Sequence, residues 1–393
     1  MQPMKDKARE ARRRLATHLR TFPVVLVVGP RQCGKTTLVR NALPRFQHLD
    51  LEKAQDLARI AADIPGFFGG NPRAVAIDEA QRLPELFAAL RPVIDEKRGT
   101  GRFVLTGSAS PELMRGVSES LAGRVGILEL SPFTAFELQD SPQEILRHFW
   151  GGYPPALALR SSEARRDWLE SYVQTFLERD LPALGLRLPA ARLRILWTML
   201  THVHGNLLNV SDLARSLGVS APTIQSHLDV LEQTFMIRRL PPYFVNIQKR
   251  LTKSPKVYVR DTGLLHHLAG IRTPAELETW DRRGASFEGL VIEELAGRAR
   301  LADTSARAYF WGTQAGGEVD LLLVRGRKIT AVEIKSGSFV DPRDLRSLRA
   351  CMEDLGLTRS FVVYRGTETL KLGHGITAIP WAGGRCAKTL LAA

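Results

Sequence analysis

Nine consecutive residues carry the most specific chemistry in the chain. Gly29-Pro30-Arg31-Gln32-Cys33-Gly34-Lys35-Thr36-Thr37 fits the spacing G-x-x-x-x-G-K-[ST] at every fixed position. Glycines there let backbone N–H groups curl around a phosphate with no Cβ in the way. Lys35 would reach the β- and γ-phosphates of ATP, and the Thr36 hydroxyl would ligate Mg²⁺. Such a loop needs acids at the tip of a neighbouring strand, and Ala74-Val75-Ala76-Ile77-Asp78-Glu79 supplies them: Asp78 to hold the ion through water, Glu79 to polarise the attacking water. Phe103-Val104-Leu105-Thr106-Gly107-Ser108 ends another apolar run in small polar residues. Ser108 there would sense the γ-phosphate or simply turn the chain.

A second constellation lies near the C-terminus. Gly317-Glu318-Val319-Asp320 and Thr330-Ala331-Val332-Glu333-Ile334-Lys335 read as the two strands of a hairpin across Arg325-Gly326-Arg327-Lys328. Side chains alternate with period two, so Glu333 and Lys335 share one face while Val332 and Ile334 pack on the other. Asp320 falls at the matching end of the partner strand, and Glu288 on the upstream helix Ser286–Leu295 offers a further acid. This is a D…E-x-K arrangement: Asp320, Glu333 and Glu288 would hold Mg²⁺ or Mn²⁺ while Lys335 orients water and steadies a pentacovalent phosphate.

The elements that must position these groups follow from periodicity. The first ~140 residues alternate short β-branched runs with helical patterns, as stacked βαβ units do. Strands are expected at Pro23–Val28, Ala74–Ile77 and Phe103–Leu105, with helices from Thr36 and around Leu86–Ile94. Ser141 to His204 reads as helical. Asn209 to Leu228 then reads as a helix-turn-helix, with Ser211 capping the first helix, Gly218 in the turn and Ser220 capping the second. Thr223, Gln225, Ser226 and His227 are expected to face outward toward base edges or phosphates, and Leu228–Leu240, with Arg238 and Arg239, to run into a β-wing. The basic run Gln248–Lys256 lies nearby. The expected organisation is α/β: a basic N-terminal helix (1–20), a P-loop ATPase core (21–140), a helical lid or linker (141–204), a winged helix-turn-helix (205–281) and a nuclease-like α/β domain (282–393).

The runs Val28–Thr37, Ile77-Asp78-Glu79-Ala80-Gln81, Leu105-Thr106-Gly107-Ser108, Leu121-Ala122-Gly123-Arg124-Val125, Phe176-Leu177-Glu178-Arg179-Asp180-Leu181 and Asp261-Thr262-Gly263-Leu264-Leu265 resemble the prokaryotic AAA-type ATPases that carry a C-terminal domain of unknown function. The resemblance spans nearly the whole chain and implies an AAA+ fold. AAA+ machines commonly insert an arginine into a neighbouring subunit's site. Arg124 is the first candidate and Arg115 the second, a surface salt bridge being the alternative reading of either. The C-terminal hairpin resembles the restriction-endonuclease-like (PD-(D/E)xK) superfamily, whose members also include non-cutting scaffolds.

Lys and Arg total 55 against 41 acids, a net charge of +14 that favours a polyanionic partner. No stretch approaches the ~18 uninterrupted apolar residues of a membrane span. The first twenty residues carry seven basic and two acidic side chains with no apolar secretion core. Cys33, Cys351 and Cys386 are too few and too scattered for a disulfide framework or a zinc cluster. His266 and His267 are adjacent and read as structural; Tyr309 and Trp311 read as packing. A cytoplasmic, homo-oligomeric ATPase that remodels, translocates on or migrates DNA is expected. An ATP-gated Mg²⁺-dependent deoxyribonuclease in defence against foreign DNA, and a regulatory ATPase switch with a protein partner, are the alternatives.

Overall fold

Apolar strands separated by helices build a parallel sheet in the first third of the chain, where the computed structural model places five strands rather than three. The structure describes residues 7–69, 74–97, 99–108, 111–139, 142–183, 189–243, 254–313 and 316–392. Two compact units divide it. The first comprises residues 1–133 with 153–158 and 229–235; the second comprises 134–152, 159–228 and 236–393.

In the first unit the strands are β1 (Val24–Gly29), β2 (Gln47–Asp50), β3 (Val75–Asp78), β4 (Phe103–Ser108) and β5 (Val125–Glu129), in the order β2-β3-β4-β1-β5. All pairings are parallel. Every residue of β1 is buried, as a strand covered on both faces requires. Val24, Leu26, Ile77 and Leu105 join Leu86, Leu90 and Phe87 of the helix Glu85–Glu96 in one apolar core. The expected N-terminal helix is present at Ala11–Thr21. Because β4 lies between β1 and β3, the C-terminal ends of all three strands meet at one edge, where ligands bind in open parallel sheets.

The second unit begins with helices, among them Pro142–Trp150, Ser162–Thr175, Ala190–His202 and Val210–Leu217. The run Phe176–Asp180 is a single π-helical segment. The strands β6 (Ile237–Leu240) and β7 (Lys256–Val259) pair antiparallel. The helices Thr262–Leu268 and Arg283–Ala302 precede a six-stranded mixed sheet, built from β8 (Arg307–Gly312), β9 (Glu318–Arg325), β10 (Lys328–Lys335), β11 (Ser360–Tyr364), β12 (Leu370–Lys371) and β13 (Ile376–Pro380). Its order is β12-β13-β11-β10-β9-β8. The β9–β10 hairpin forms as expected, Arg325 opposite Lys328 and Leu321 opposite Val332. One face buries Val332 and Ile334 against Phe287, Leu290 and Val291 of the helix Arg283–Ala302. The other buries Ala331 and Leu322 against Leu348, Cys351 and Met352 of the helix Arg346–Leu355. Among the described residues no helix is long and apolar enough to cross a membrane.

Candidate active site

The phosphate loop leaves β1 and enters the helix Lys35–Ala42. A Cβ on Gly29 would lie 2.1 Å from the Leu130 carbonyl oxygen, so no other residue fits this strand end. Gly34 has φ +101°, a left-handed conformation that glycine adopts without strain. Within the loop Pro30 and Cys33 are buried, Arg31 is half-buried and Gln32 is exposed with φ 58°. Lys35 is 6% exposed, its ammonium donating to the carbonyl oxygens of Gly29 (3.1 Å) and Pro30 (2.9 Å). Thr37 lies half-buried in the first turn of the helix.

Thr36 Oγ1 donates to Asp78 Oδ2 at 2.5 Å, which joins the loop to the β3 tip across the sheet edge. Two hard oxygen donors so placed suit Mg²⁺, which Thr36 would ligate with Asp78 holding its water. Glu79 follows in a left-handed conformation, φ 54°, which costs a non-glycine residue about 1–3 kcal/mol and is found at functional sites. Burial pushes the Glu79 carboxyl above its ordinary range, opposed by Lys35 and by the hydrogen bond from Gln81. The backbone of Ser108 ends β4, and Arg115 lies on the helix Pro111–Ser120; both side chains lie outside what the structure describes. Arg124 is held by Asp95 in a two-point pair, at 2.8 Å and 2.9 Å, the geometry of the salt-bridge alternative.

Three contributors to this site were not singled out in the sequence. Thr106 lies beside Asp78 because β3 and β4 pair Ile77 with Leu105, and its hydroxyl donates to Asp78 Oδ1. Gln81 Nε2 donates to Glu79 Oε2. Arg9 donates to the Cys33 carbonyl at 2.9 Å and to the Ser131 carbonyl at 2.5 Å, with its guanidinium 4.6 Å from the Phe133 ring centre. Thr106 lies two residues before Ser108 and Gln81 two residues past the acids. Arg9 gave no signal beyond a basic segment.

In the C-terminal unit the structure does bring Glu288, Asp320, Glu333 and Lys335 together. Lys335 Nζ donates to Glu333 Oε1 at 2.9 Å, and the Ile334 N–H donates to Asp320 Oδ2 at 2.7 Å. Burial, then Glu333 and Glu288, drives the Asp320 carboxyl well above its ordinary value; burial also raises Glu333 against the pull of Lys335. The unexpected member is Lys256 on β7, 3% exposed. Its ammonium lies 2.5 Å from Glu318 Oε1, 3.1 Å from Glu288 Oε1 and 3.9 Å from Asp320 Oδ1. Burial works against the Lys256 charge, but Glu288, Asp320 and Glu318 outweigh it and raise its pKa. Tyr258 donates its hydroxyl to the same Glu288 oxygen at 2.5 Å. Among the described residues, no three of His, Cys, Asp and Glu are arranged to hold a metal ion. The expected divalent ion does not fit while the lysine is there.

Where a helix-turn-helix is expected, at Asn209–Leu228, the chain forms the helices Val210–Leu217 and Ala221–Gln233, joined through Gly218 at φ 64°. Asn209, not Ser211, caps the first, its side chain accepting from the Ser211 and Asp212 N–H groups. Ser220 caps the second, accepting from Thr223 N–H at 3.3 Å. His227 does not face outward: it is 5% exposed, since it shares the inner stripe of Ile224 and Leu228. Thr223 and Gln225 are half-buried and Ser226 is exposed. The chain stays helical to Gln233 before β6, and Arg238 on that strand is bound to Glu293. Of the basic run Gln248–Lys256, residues 248–253 lie outside the described residues. His266 hydrogen-bonds the Phe149 carbonyl and Ser286, while His267 pairs with Glu170. Trp311 is buried, and Tyr309 packs edge-on against Tyr243.

Comparison with known proteins adds the family. Residues 21–139 match the family model of an AAA domain, and residues 145–275 and 283–383 match two domains of unknown function, DUF8612 and DUF4143. The C-terminal match therefore carries no nuclease assignment. Two uncharacterized proteins, from Mycobacterium bovis and Mycobacterium tuberculosis, are each 43% identical over 377 residues, spanning 95% of this chain and 83% of theirs. A Walker-type ATPase of Pyrococcus abyssi aligns with a TM-score of 0.46 at 18% identity, over 66% of this chain and 94% of that one. The Bacillus subtilis DNA clamp loader delta protein aligns with a TM-score of 0.26 at 12% identity, over 57% and 87%. At such scores the reading of the first unit stands on its own sheet order, its phosphate loop and the AAA match. The chain belongs to the P-loop ATPases of the AAA family and, within them, to the family of the two mycobacterial proteins.

Proposed function

We propose that ATP hydrolysis at the β1–β3–β4 edge does conformational work on DNA, branched DNA included, which the helix-turn-helix and the C-terminal unit hold. The observation that carries the ATPase half is the oxygen cluster Thr36–Asp78–Thr106 at the mouth of the phosphate loop. Lys35, which donates to loop carbonyls, would turn toward the β- and γ-phosphates; Thr36, with Asp78 through water, would hold Mg²⁺, which would draw charge from those phosphates when bound. Glu79, its proton affinity raised by burial, accepts a proton from the water that attacks the γ-phosphate while Gln81 fixes its angle. Arg124 or Arg115 of a neighbouring copy steadies the developing charge, which makes turnover depend on a homo-oligomer.

DNA is supported by the net charge of +14 and by the exposed start of the helix Ala221–Gln233, where Ser226 is open and Thr223 and Gln225 are half-open to solvent. The antiparallel β6–β7 pair that follows would serve as the wing. A second reading, an ATP-gated nuclease, has the Lys335–Glu333 contact in its favour and would require the Lys256 ammonium to leave Glu288 and Asp320 before a divalent ion could enter.

The test is binding of labelled single-stranded, duplex, forked and four-way-junction DNA across a salt series, with and without ATP, in Mg²⁺ or Mn²⁺. Affinity that falls steeply with salt, with ATP-dependent strand rearrangement, is the expected result. Cleavage lost in Asp320→Ala would instead make the protein a nuclease. Absence of DNA binding at any salt concentration would assign the distal elements to a protein partner.

A further inference from the structure

We propose that the Lys256 ammonium is the resident cation of the acidic cluster in the C-terminal unit, a tethered counter-ion in the place where a divalent ion would bind, so that the folded protein takes neither Mg²⁺ nor Mn²⁺ there. The inference is independent of the ATPase reading.

Glu288, Glu318, Asp320 and Glu333 bring four carboxylates together, and Lys256 and Lys335 are the cations against them. The two lysines divide the acids. Lys335 pairs with Glu333 at 2.9 Å, whereas Lys256 takes Glu318 at 2.5 Å and Glu288 at 3.1 Å and lies 3.9 Å from Asp320. These are ammonium–carboxylate distances; Mg²⁺ demands oxygens at about 2.0–2.1 Å in an octahedron. A divalent ion drawn to Glu288 and Asp320 would meet the lysine charge within the same few ångströms, so the two cations exclude one another.

The lysine is also built in. It opens β7, pairs with Leu240 on β6 and bridges to Leu207, and Val257, Tyr258 and Val259 after it are at most 2% exposed. The strand therefore fixes the Cα of Lys256, and the Phe310 ring centre, 5.8 Å from its nitrogen, flanks the ammonium. Glu333 Oε2 is left buried without a hydrogen-bond partner. Glu333, at 8% exposure, is the acid that Lys256 does not pair with.

The experiment titrates Mn²⁺ into nucleotide-free full-length protein, followed by calorimetry and by the paramagnetic signal of free Mn²⁺, in an Asp78→Asn background that removes the phosphate-loop acid. The parent should bind no Mn²⁺ in the C-terminal unit. Lys256→Met should gain one Mn²⁺, lose it again when combined with Asp320→Asn, and recover in melting temperature when Mn²⁺ is added. Lys256→Arg, which keeps the charge, should bind none. Mn²⁺ binding by the parent that Asp320→Asn abolishes would overturn the proposal whether or not Lys256→Met folds. A well-folded Lys256→Met that binds no Mn²⁺ would overturn it equally.

Discussion

Thr106→Val isolates one hydroxyl at the centre of the ATPase site. Thr106 is 2% exposed within β4, and valine has the same shape and the same β-branched preference for a strand, so the sheet should accept it. What disappears is the hydrogen bond to Asp78 Oδ1, which then keeps the weaker Glu79 N–H contact at 3.2 Å, while Thr36 still holds Oδ2 at 2.5 Å. A hydrogen bond to a charged group contributes about 1.5–3 kcal/mol. If that energy is realised when Asp78 is oriented for Mg²⁺, kcat/KM for ATP should fall by about 10- to 150-fold, at about 1.4 kcal/mol per factor of ten. The assay is steady-state phosphate release over a Mg²⁺ series, with thermal unfolding measured alongside. The required Mg²⁺ concentration should rise, and the unfolding midpoint should move little. Turnover within twofold of the parent in a normally folded variant would refute the assignment of Thr106 to the metal-orienting set, and a parallel Ser108→Ala variant would show whether the other polar residue of the strand end takes that role.

Further expectations follow from the same geometry. Glu79→Gln should bind ATP and turn over little of it, and the acid limb of the parent's rate profile should lie above the ordinary range of a glutamate, because burial raises that carboxyl and only its deprotonated form accepts a proton. If Arg124 acts across subunits, Arg124→Ala should abolish turnover and Asp95→Ala should not, and mixing Arg124→Ala with Lys35→Ala should restore part of it; equally small losses from both would leave Arg124 as the partner of Asp95 alone. The second unit should lose stability in acid. Burial holds His204 at about 3 and His266 at about 4, both below the ordinary 6.5, so the unfolded chain takes up protons first as pH falls. Stability is full above about pH 6.5 and should drop by about 1.4 kcal/mol per pH unit for each histidine below it. Denaturant titrations between pH 6.5 and 4.5 on the parent, His204→Gln and His266→Gln that showed the same acid dependence in all three would contradict this, since the raised Asp320 and Glu333 carboxyls act in the opposite direction in the parent and in both variants alike.

How much of this was legible depends on how local each signal is. The phosphate loop was readable because one continuous segment fixes a strand end, two glycines and a lysine, and Asp78-Glu79 was readable as acids after an apolar run. β2 was missed because Gln47–Asp50 buries only Leu49, and β5 because Val125–Glu129 buries only Gly126 and Leu128. Thr106 has no role legible in the sequence, since its meeting with Asp78 depends on the β3–β4 register. His227 was turned outward by its polarity, although its spacing of three from Ile224 puts it on the inner stripe. The hairpin acids are legible by their period of two, whereas Lys256 reads in the sequence as the end of a basic run near the helix-turn-helix. It approaches Glu288 and Asp320 only once β7 has packed beside them, 32 and 64 residues away along the chain.

The most direct test of the central claim is phosphate release from ATP by the purified chain, with and without forked DNA, set beside Lys35→Ala. Mg²⁺-dependent turnover that rises when DNA is added, and that is absent in Lys35→Ala, is the predicted result. Turnover that survives Lys35→Ala would contradict the assignment of the phosphate loop, and turnover indifferent to every DNA tested would contradict its coupling to DNA.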